Sequence, residues 1–507
     1  MQQEYKSPKY KLLIFFEESR NKWKARAKKS IEEIKKINHK YVYQKKKHEA
    51  LKAENKELRA QLALLTKVQK KKIEFNTDAL LIPVVRHSYS LGHISMMLSL
   101  IMTSISLRCA SRALDVFRLT FNISISTPSW YTSRLWLLKL GYYKLNKPKE
   151  IADDWLWIVD HSVQLGCEKC MVILGIRQKD LPCDRALTFS DVEPIEVLPV
   201  TKSNGDIVYE QLSNAAKKTG VPRGVISDGG PDLKRGVEKF VNEHQGSCYI
   251  YDIKHQVALI LKKELESDVS WASFIELAAK AQNHMRQSSV AAFAPPNQRS
   301  KARYMNVDIL VSWAKKIIDM PEEKCADLLD ENKQKKFLGW IDFYEEDINR
   351  WSDLSHIANT VVSFITNNNL NKGVSNKLRT MLPEPFLCSR TNDFQNTILN
   401  KVAEKENQLN IGETLLGSSD IIESLFGKFK NIEKEQASSG FTNLLLALPA
   451  IVGELSTDII KSAMEETKVS SIWNWLKSNI GQSVQSKRKE AFSKPTKENK
   501  NRVILTA

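Results

Sequence analysis

The spacing of apolar positions divides this chain into stretches of different period. Counting back from Leu65 in alternating steps of three and four meets Leu62, Leu58, Asn55, Leu51, His48, Gln44, Tyr41, Ile37 and Ile34. That pattern predicts one long helix over about 20–66, with a heptad seam in its C-terminal half. Asn55 falls on the seam, where a buried amide fixes register and strand number, so a parallel coiled-coil dimer is expected. Gln44 and His48 weaken the middle, which leaves open a helix folded back on its own domain.

Residues 90–145 have helical periodicity of another kind. An apolar helix near 92–106 is followed by Arg108–Phe121, with Ala110, Ala113, Leu114, Phe117 and Leu119 as inward candidates. Thr127-Pro128 marks a helix start, since Pro at the first helical position sacrifices no hydrogen bond, and Gly141 marks a stop for the helix from Trp130. Two short helices, a turn and a third helix fit a helix-turn-helix-like DNA-binding domain, with Arg134 and Lys139 as DNA contacts; a plain three-helix bundle has the same pattern.

From 155 the period shortens. WLWIVD, KCMVILGIR and IEVLPV are apolar runs of strand length, and a helix follows at Asp206–Thr219. RGVISD, a helix at Pro231–His244, and SCYIYDI running into a helix from Lys254 complete the pattern. Three strands followed by alternating helices and buried strands predict a mixed α/β sheet with helices on its faces. Beyond 254 the periodicity is helical to about 485, with loops near Pro295-Pro296 and Pro383–Pro385 and no strand. Phe337, Trp340, Phe343, Tyr344 and Trp351 line up as the core face of one such helix, although Trp340 or Trp351 would also suit base stacking.

Composition narrows the class. With 507 residues, 42% of them hydrophobic, the chain buries a large core in several domains. Seven scattered cysteines, an odd number, suit a reduced intracellular protein better than a disulfide scaffold. Cys167-x-x-Cys170 has metal-knuckle spacing, but no second pair follows and it reads as structural. The N-terminus has no secretory h-region, and the apolar stretch Ile94–Ile105 is too short for a bilayer, so a cytoplasmic, nucleoid-associated location without membrane contact is expected. The net charge of +17 sits at the ends: residues 1–72 hold 22 Lys/Arg against eight Glu, and Lys487–Arg502 holds seven basic residues against two acidic. The body between is close to neutral. Basic arms of this kind suit double-stranded DNA, whose phosphates exchange counterions for lysine and arginine; a solvated helix face is the plainer alternative.

Two acids then stand out. Asp160 closes the first predicted strand and Asp228 the fourth, and ligands gather at the carboxyl ends of strands in α/β sheets. An acid closing an apolar strand is costly unless solvated, paired or bound to a cation. Gly229, Gly230 and Pro231 turn the chain sharply after Asp228, leaving room for a metal or phosphate. Paired carboxylates suit Mg²⁺ or Mn²⁺, and two such ions can serve an in-line displacement at phosphorus. Taken singly, either Asp could instead cap the turn that follows it.

Together, WIVDHSVQLG, VISDGGPDLKRGVEKF and YIYDIKHQVALILKKEL resemble the core of DDE transposases with an RNase H-like fold. The resemblance covers roughly 150–265 and, less fully, 410–455. In that family the first Asp lies on the first strand and the second follows the fourth; here they are 68 residues apart. Asp252-x-x-His255 is similar to the C-x-x-H that follows the second Asp in Mutator-like and hAT-like transposases, with Asp in the place of Cys. LGSSDIIESLFGKFKN resembles the helix that carries the family's third acid, which makes Glu423 the candidate, 195 residues after Asp228; Glu413 and Asp420 are its rivals. Ser418 or Ser419 can cap that helix, Gly427 would let it lie close to the sheet or DNA, and Lys428 and Lys430 would contact phosphate.

The resemblance implies an α/β RNase H-like core carrying a large helical insertion, preceded by the helix-turn-helix-like domain and the coiled coil. The implied boundaries are a basic arm at 1–72, a helical domain at 73–150, core at 151–265, insertion at 266–410, core again at 411–485 and a basic tail at 486–507. It further implies a transposase that cleaves and joins DNA at element ends as a dimer or higher oligomer. Asp160, Asp228 and Glu423 would hold two Mg²⁺ or Mn²⁺ ions, with His255 and Asp252 in support. A nuclease or resolvase without strand transfer would carry the same residues, and a retired, DNA-binding descendant would retain the fold.

Overall fold

In the computed structural model the described residues are 8, 11, 14–24, 28, 82–120, 126–165, 168–297, 307–320, 337–382, 386, 388–433, 442–480 and 491–493. The chain forms two units, Met1–Leu80 and Leu81–Ala507. In the first, residues 14–24 are helical, so helix begins before residue 20. The heptad seam Ile34–Leu65, and all but 491–493 of the basic tail, lie outside the described residues.

The second unit is built on a five-stranded sheet of order β3-β2-β1-β4-β5, comprising β1 (Trp155–Leu165), β2 (Glu168–Arg177), β3 (Glu193–Val200), β4 (Gly224–Ser227) and β5 (Cys248–Tyr251). β1–β2 and β2–β3 pair antiparallel, whereas β1–β4 and β4–β5 pair parallel. The predicted strands are all present, because each is rich in β-branched or aromatic residues; β4 is buried throughout, and the edge strands β3 and β5 only in part. Along β1, side chains alternate between those faces. Trp155, Trp157 and Val159 meet Val208 and Leu212 of one helix (Gly205–Thr219) and Leu233, Val237 and Phe240 of another (Pro231–Glu243). Leu156 and Ile158 face the opposite, all-helical side with Ile226 and Ile250. Ile158 is fully buried, and its truncation to alanine would cost roughly 2–5 kcal/mol.

Among the helices, α1 (Leu91–Met102), α2 (Leu107–Thr120) and α3 (Trp130–Asn146) form the predicted three-helix group. They share one apolar cluster with the helical face of the sheet. Proline 128 precedes the helix, and Ser129 caps it by accepting from Thr132 N–H. Gly141 does not stop α3: a Cβ there would lie 1.6 Å from the Leu446 carbonyl oxygen, so the glycine is where two backbones touch. On α2 only Ala110 and Leu114 face inward, while Phe117 and Leu119 are exposed. α3 itself is buried on nearly every side, from Ser133 through Leu145, which is incompatible with a helix lying in a major groove.

The described residues of 266–410 are mainly helical, and Trp351 is fully buried, donating from Nε1 to Asp268 Oδ2 at 2.8 Å. Trp340 packs beside Phe274, whereas Phe343 is exposed and outside the core. The expectation of no strand after 254 fails narrowly: β6 (Leu370–Asn371) pairs with β7 (Thr414–Leu415). Two residues per strand leave no alternation for a sequence pattern to show. Among the described residues no helix is long and apolar enough to cross a membrane.

Candidate carboxylate site

β1 does not end at Asp160 but runs on to Leu165, paired there with β2 alone. Its parallel pairing with β4 ends at Ile158–Ile226, so Asp160 and Asp228 each follow two residues later. Both share the parity of Ile158 and Ile226, which places the two acids together on the helical face. Asp228 Oδ1 accepts from Gly230 N–H at 2.9 Å, the turn-capping role open to it on sequence grounds. Gly229 adopts φ +74°, and a Cβ there would meet the Tyr251 ring at 2.3 Å, which is why glycine follows the acid. Burial, and next the neighbouring Asp228, push the Asp160 carboxyl up to about 7; Asp160 also feels His255 and Glu423.

A second group forms where β5 enters the helix α4 (Ile253–Glu266). Asp252, 1% exposed, accepts from His255 N–H at 2.9 Å and from His255 Nδ1 at 3.0 Å through Oδ1. Its Oδ2 accepts from Ser419 N–H at 2.6 Å and Ser419 Oγ at 2.9 Å. Burial opposes both charges of the Asp252–His255 pair, but their mutual hydrogen bonds prevail, lowering the Asp252 carboxyl and raising the His255 imidazole. His255 Nε2 thereby faces Glu423 Oε1 at 3.7 Å. Glu423 lies on α5 (Asp420–Glu433), which packs on β1. Its other oxygen meets Lys254 Nζ at 2.8 Å, and the same ammonium meets Asp420 Oδ1 at 2.9 Å.

The structure thus brings Asp160, Asp228, His255, Asp252 and Glu423 together beside the C-terminal end of β4 and the middle of β1. Glu413 is elsewhere: its carboxylate pairs with Arg223, Nε to Oε1 at 2.6 Å, beside the start of β4. Asp420 joins the cluster through Lys254. Lys254 and Ser419 were not assigned from sequence as site partners; the lysine stands one residue before His255, and its acidic partners are more than 160 residues away in the chain. Ser418, not Ser419, caps Asp420 N–H. Gly427 is exposed with open space around it, so it does not serve close packing on the sheet.

Divalent cations can be tested against these residues. Asp160 and Asp228 offer hard oxygen donors whose mutual repulsion a cation would relieve, and this donor chemistry fits Mg²⁺ or Mn²⁺. The spacing is less complete: among the described residues no three His, Cys, Asp or Glu side chains stand close enough to hold an ion together. Glu423 spends one oxygen on Lys254. A cavity of about 850 Å³ opens at the opposite ends of β4 and β5, near Arg223, Cys248 and Lys405, and none of the predicted site residues lines it.

The predicted DNA contacts fare unequally. Lys139 is buried and donates to the Met464 carbonyl at 2.7 Å, so it is not offered to DNA. Arg134 is half-buried and donates to Asn443 Oδ1. Lys428 is partly buried, its ammonium 4.8 Å from the Phe189 ring centroid, and Lys430 is exposed. Cys170 is fully buried and its thiol is pushed up to about 12 by burial, which makes it an inert core residue; Cys167 lies outside the described residues.

No family model matches this chain, and no curated protein matches it. Among solved structures, a chain described as Drosophila P element transposase strand transfer complex is similar over 79% of this chain and 98% of that one. The identity is 13% and the TM-score 0.36, values at which the likeness carries no argument for this chain's fold or function.

Proposed function

We propose that this chain is a DNA transposase of the DDE type, with an RNase H-like core interrupted by a helical insertion. One observation carries the reading: Asp160 and Asp228 follow in register where the parallel pairing of β1 with β4 ends, on the face where Glu423 arrives from a helix 195 residues further on. The strand order 3-2-1-4-5, with its first three strands antiparallel, supports the same core. Asp160, Asp228 and Glu423 would hold the divalent ions, which when bound polarise a phosphodiester and activate the attacking oxygen. His255, held by Asp252, presents Nε2 beside Glu423, where an N–H can be given to a phosphate oxygen. Lys254 supplies a fixed cation next to the acids. Lys430, together with the basic segments 1–72 and 487–502, would gather DNA by phosphate contact, and the predicted coiled coil would join two copies for two element ends.

The test is a paired-end joining reaction with Mg²⁺ on DNA flanking the chain's own gene. Cleavage and joining by the wild type, both lost in Asp160→Asn and Asp228→Asn with DNA binding retained, is the expected result. Cleavage without joined product would favour a nuclease or resolvase. The Lys254–Glu423 ion pair favours a second reading, a retired DNA-binding descendant, because it occupies the third acid. Binding without cleavage in any divalent metal would establish that reading instead.

A further inference from the structure

Four hydrogen bonds converge on the buried Asp252 carboxylate, and its own amide adds a fifth tie. Asp252 N–H donates to the Ser227 carbonyl at 3.0 Å, one residue before Asp228. Its Oδ1 fixes His255 through backbone and ring, and its Oδ2 takes both the amide and the hydroxyl of Ser419. Next to it, Ile253 N–H donates to the Gly417 carbonyl at 3.0 Å. Asp252 therefore touches three of the four chain segments that deliver an acid or a base to the site, the end of β4, the start of α4 and the start of α5; the fourth is β1 with Asp160. Glu423 lies one turn beyond Ser419, so the position of that serine fixes where its carboxylate arrives.

We infer that Asp252 is a positioning residue that latches the Glu423 helix to the strand carrying Asp228, and that Ser419 is the other half of the latch. The inference rests on the site reading above. Burial makes the latch stiff: a carboxylate at 1% exposure with every short contact satisfied has no alternative partner in water. Two donors on Oδ2 also fix direction, since the Ser419 amide and hydroxyl approach from one residue and prevent α5 from sliding along its axis. The link reaches across 167 residues of chain and, with Ile253 N–H on the Gly417 carbonyl, joins the two parts of the core beside the acids. Partners that orient metal ligands in this way typically control metal affinity or activity by roughly 10–100-fold.

The experiment compares wild type, Asp252→Asn, Ser419→Ala, Ser419→Thr, Asp160→Asn and Asp228→Asn in the full chain. Three quantities are read: Mn²⁺ binding by calorimetry without DNA, amide hydrogen exchange across 416–424, and DNA cleavage against metal concentration. Asp252→Asn is expected to weaken Mn²⁺ binding about 10–100-fold, to speed exchange across 416–424, and to recover cleavage at raised Mn²⁺. Ser419→Ala should lie between it and wild type, and Ser419→Thr, which keeps both donors, should behave as wild type. Asp160→Asn and Asp228→Asn should lose binding without recovery. Should Asp252→Asn fail to fold, Ser419→Ala decides, and wild-type Mn²⁺ affinity in that variant overturns the latch. Wild-type binding and exchange in both Asp252→Asn and Ser419→Ala, while Asp160→Asn and Asp228→Asn lose activity, overturns the latch and leaves the site reading standing. Wild-type binding and cleavage in Asp160→Asn and Asp228→Asn overturns the site reading, and the latch with it.

Discussion

Replacing Asp160 by asparagine should stabilise the metal-free protein at neutral and alkaline pH. The carboxyl titrates near 7 in the fold, against an ordinary 3.8, because burial and then Asp228 disfavour its charge. The folded chain thus holds a proton that the unfolded chain releases. Stability from this group is complete below about pH 4 and is lost as pH rises through 7, by roughly 1.4 kcal/mol per pH unit and about 4 kcal/mol in all. Solvent at the accessible edge of the carboxylate makes that figure an upper bound. Asparagine keeps the shape and carries no charge. Urea denaturation in EDTA should therefore give equal stabilities for variant and wild type at pH 4, and a more stable variant at pH 8. Saturating Mn²⁺ should narrow the gap at pH 8, since an ion at a hundred times its dissociation constant stabilises wild type by about 2.7 kcal/mol and the variant lacks a ligand. A variant less stable than wild type at pH 8 in EDTA would refute the reasoning.

Other outcomes follow from the same contacts. Glu413→Gln strands the partly buried Arg223 and should cost about 3 kcal/mol in denaturant titrations while sparing cleavage, whereas Glu423→Gln should abolish cleavage with little change in stability. Gly141→Ala drives a Cβ into the Leu446 carbonyl and should lower stability by more than about 4 kcal/mol, read as lost soluble expression or a depressed melting temperature. Lys139→Ala should destabilise the fold through its lost bond to Met464 without altering the salt dependence of DNA binding. Lys430→Ala should leave stability unchanged and reduce the slope of log affinity against log salt by about 1.

Much of the sheet was legible in the sequence because its strands are built on apolar runs bounded by turns or helices. Asp160 and Asp228 stood out as acids at the ends of such runs, and their shared parity with Ile158 and Ile226 was already implied by strand alternation. Contacts between distant segments were not legible. Nothing local to Lys254 announces Asp420 and Glu423, and nothing local to Ser419 announces Asp252. Gly141 had the look of a helix stop because glycine usually serves there; its actual neighbour, Leu446, is 305 residues away. Lys139 failed as a DNA contact for a related reason: charge suggested a surface, while α3 is enclosed on both sides and the ammonium caps a carbonyl.

The central claim is that Asp160, Asp228 and Glu423 form one metal-dependent site for phosphoryl transfer. Anomalous diffraction from crystals of the full chain with Mn²⁺ and DNA tests it most directly. The account predicts manganese peaks bounded by the Asp160 and Asp228 carboxylates, with Glu423 turned from Lys254 towards the metal. Manganese bound elsewhere, with Asp160 and Asp228 free of it, would contradict the account.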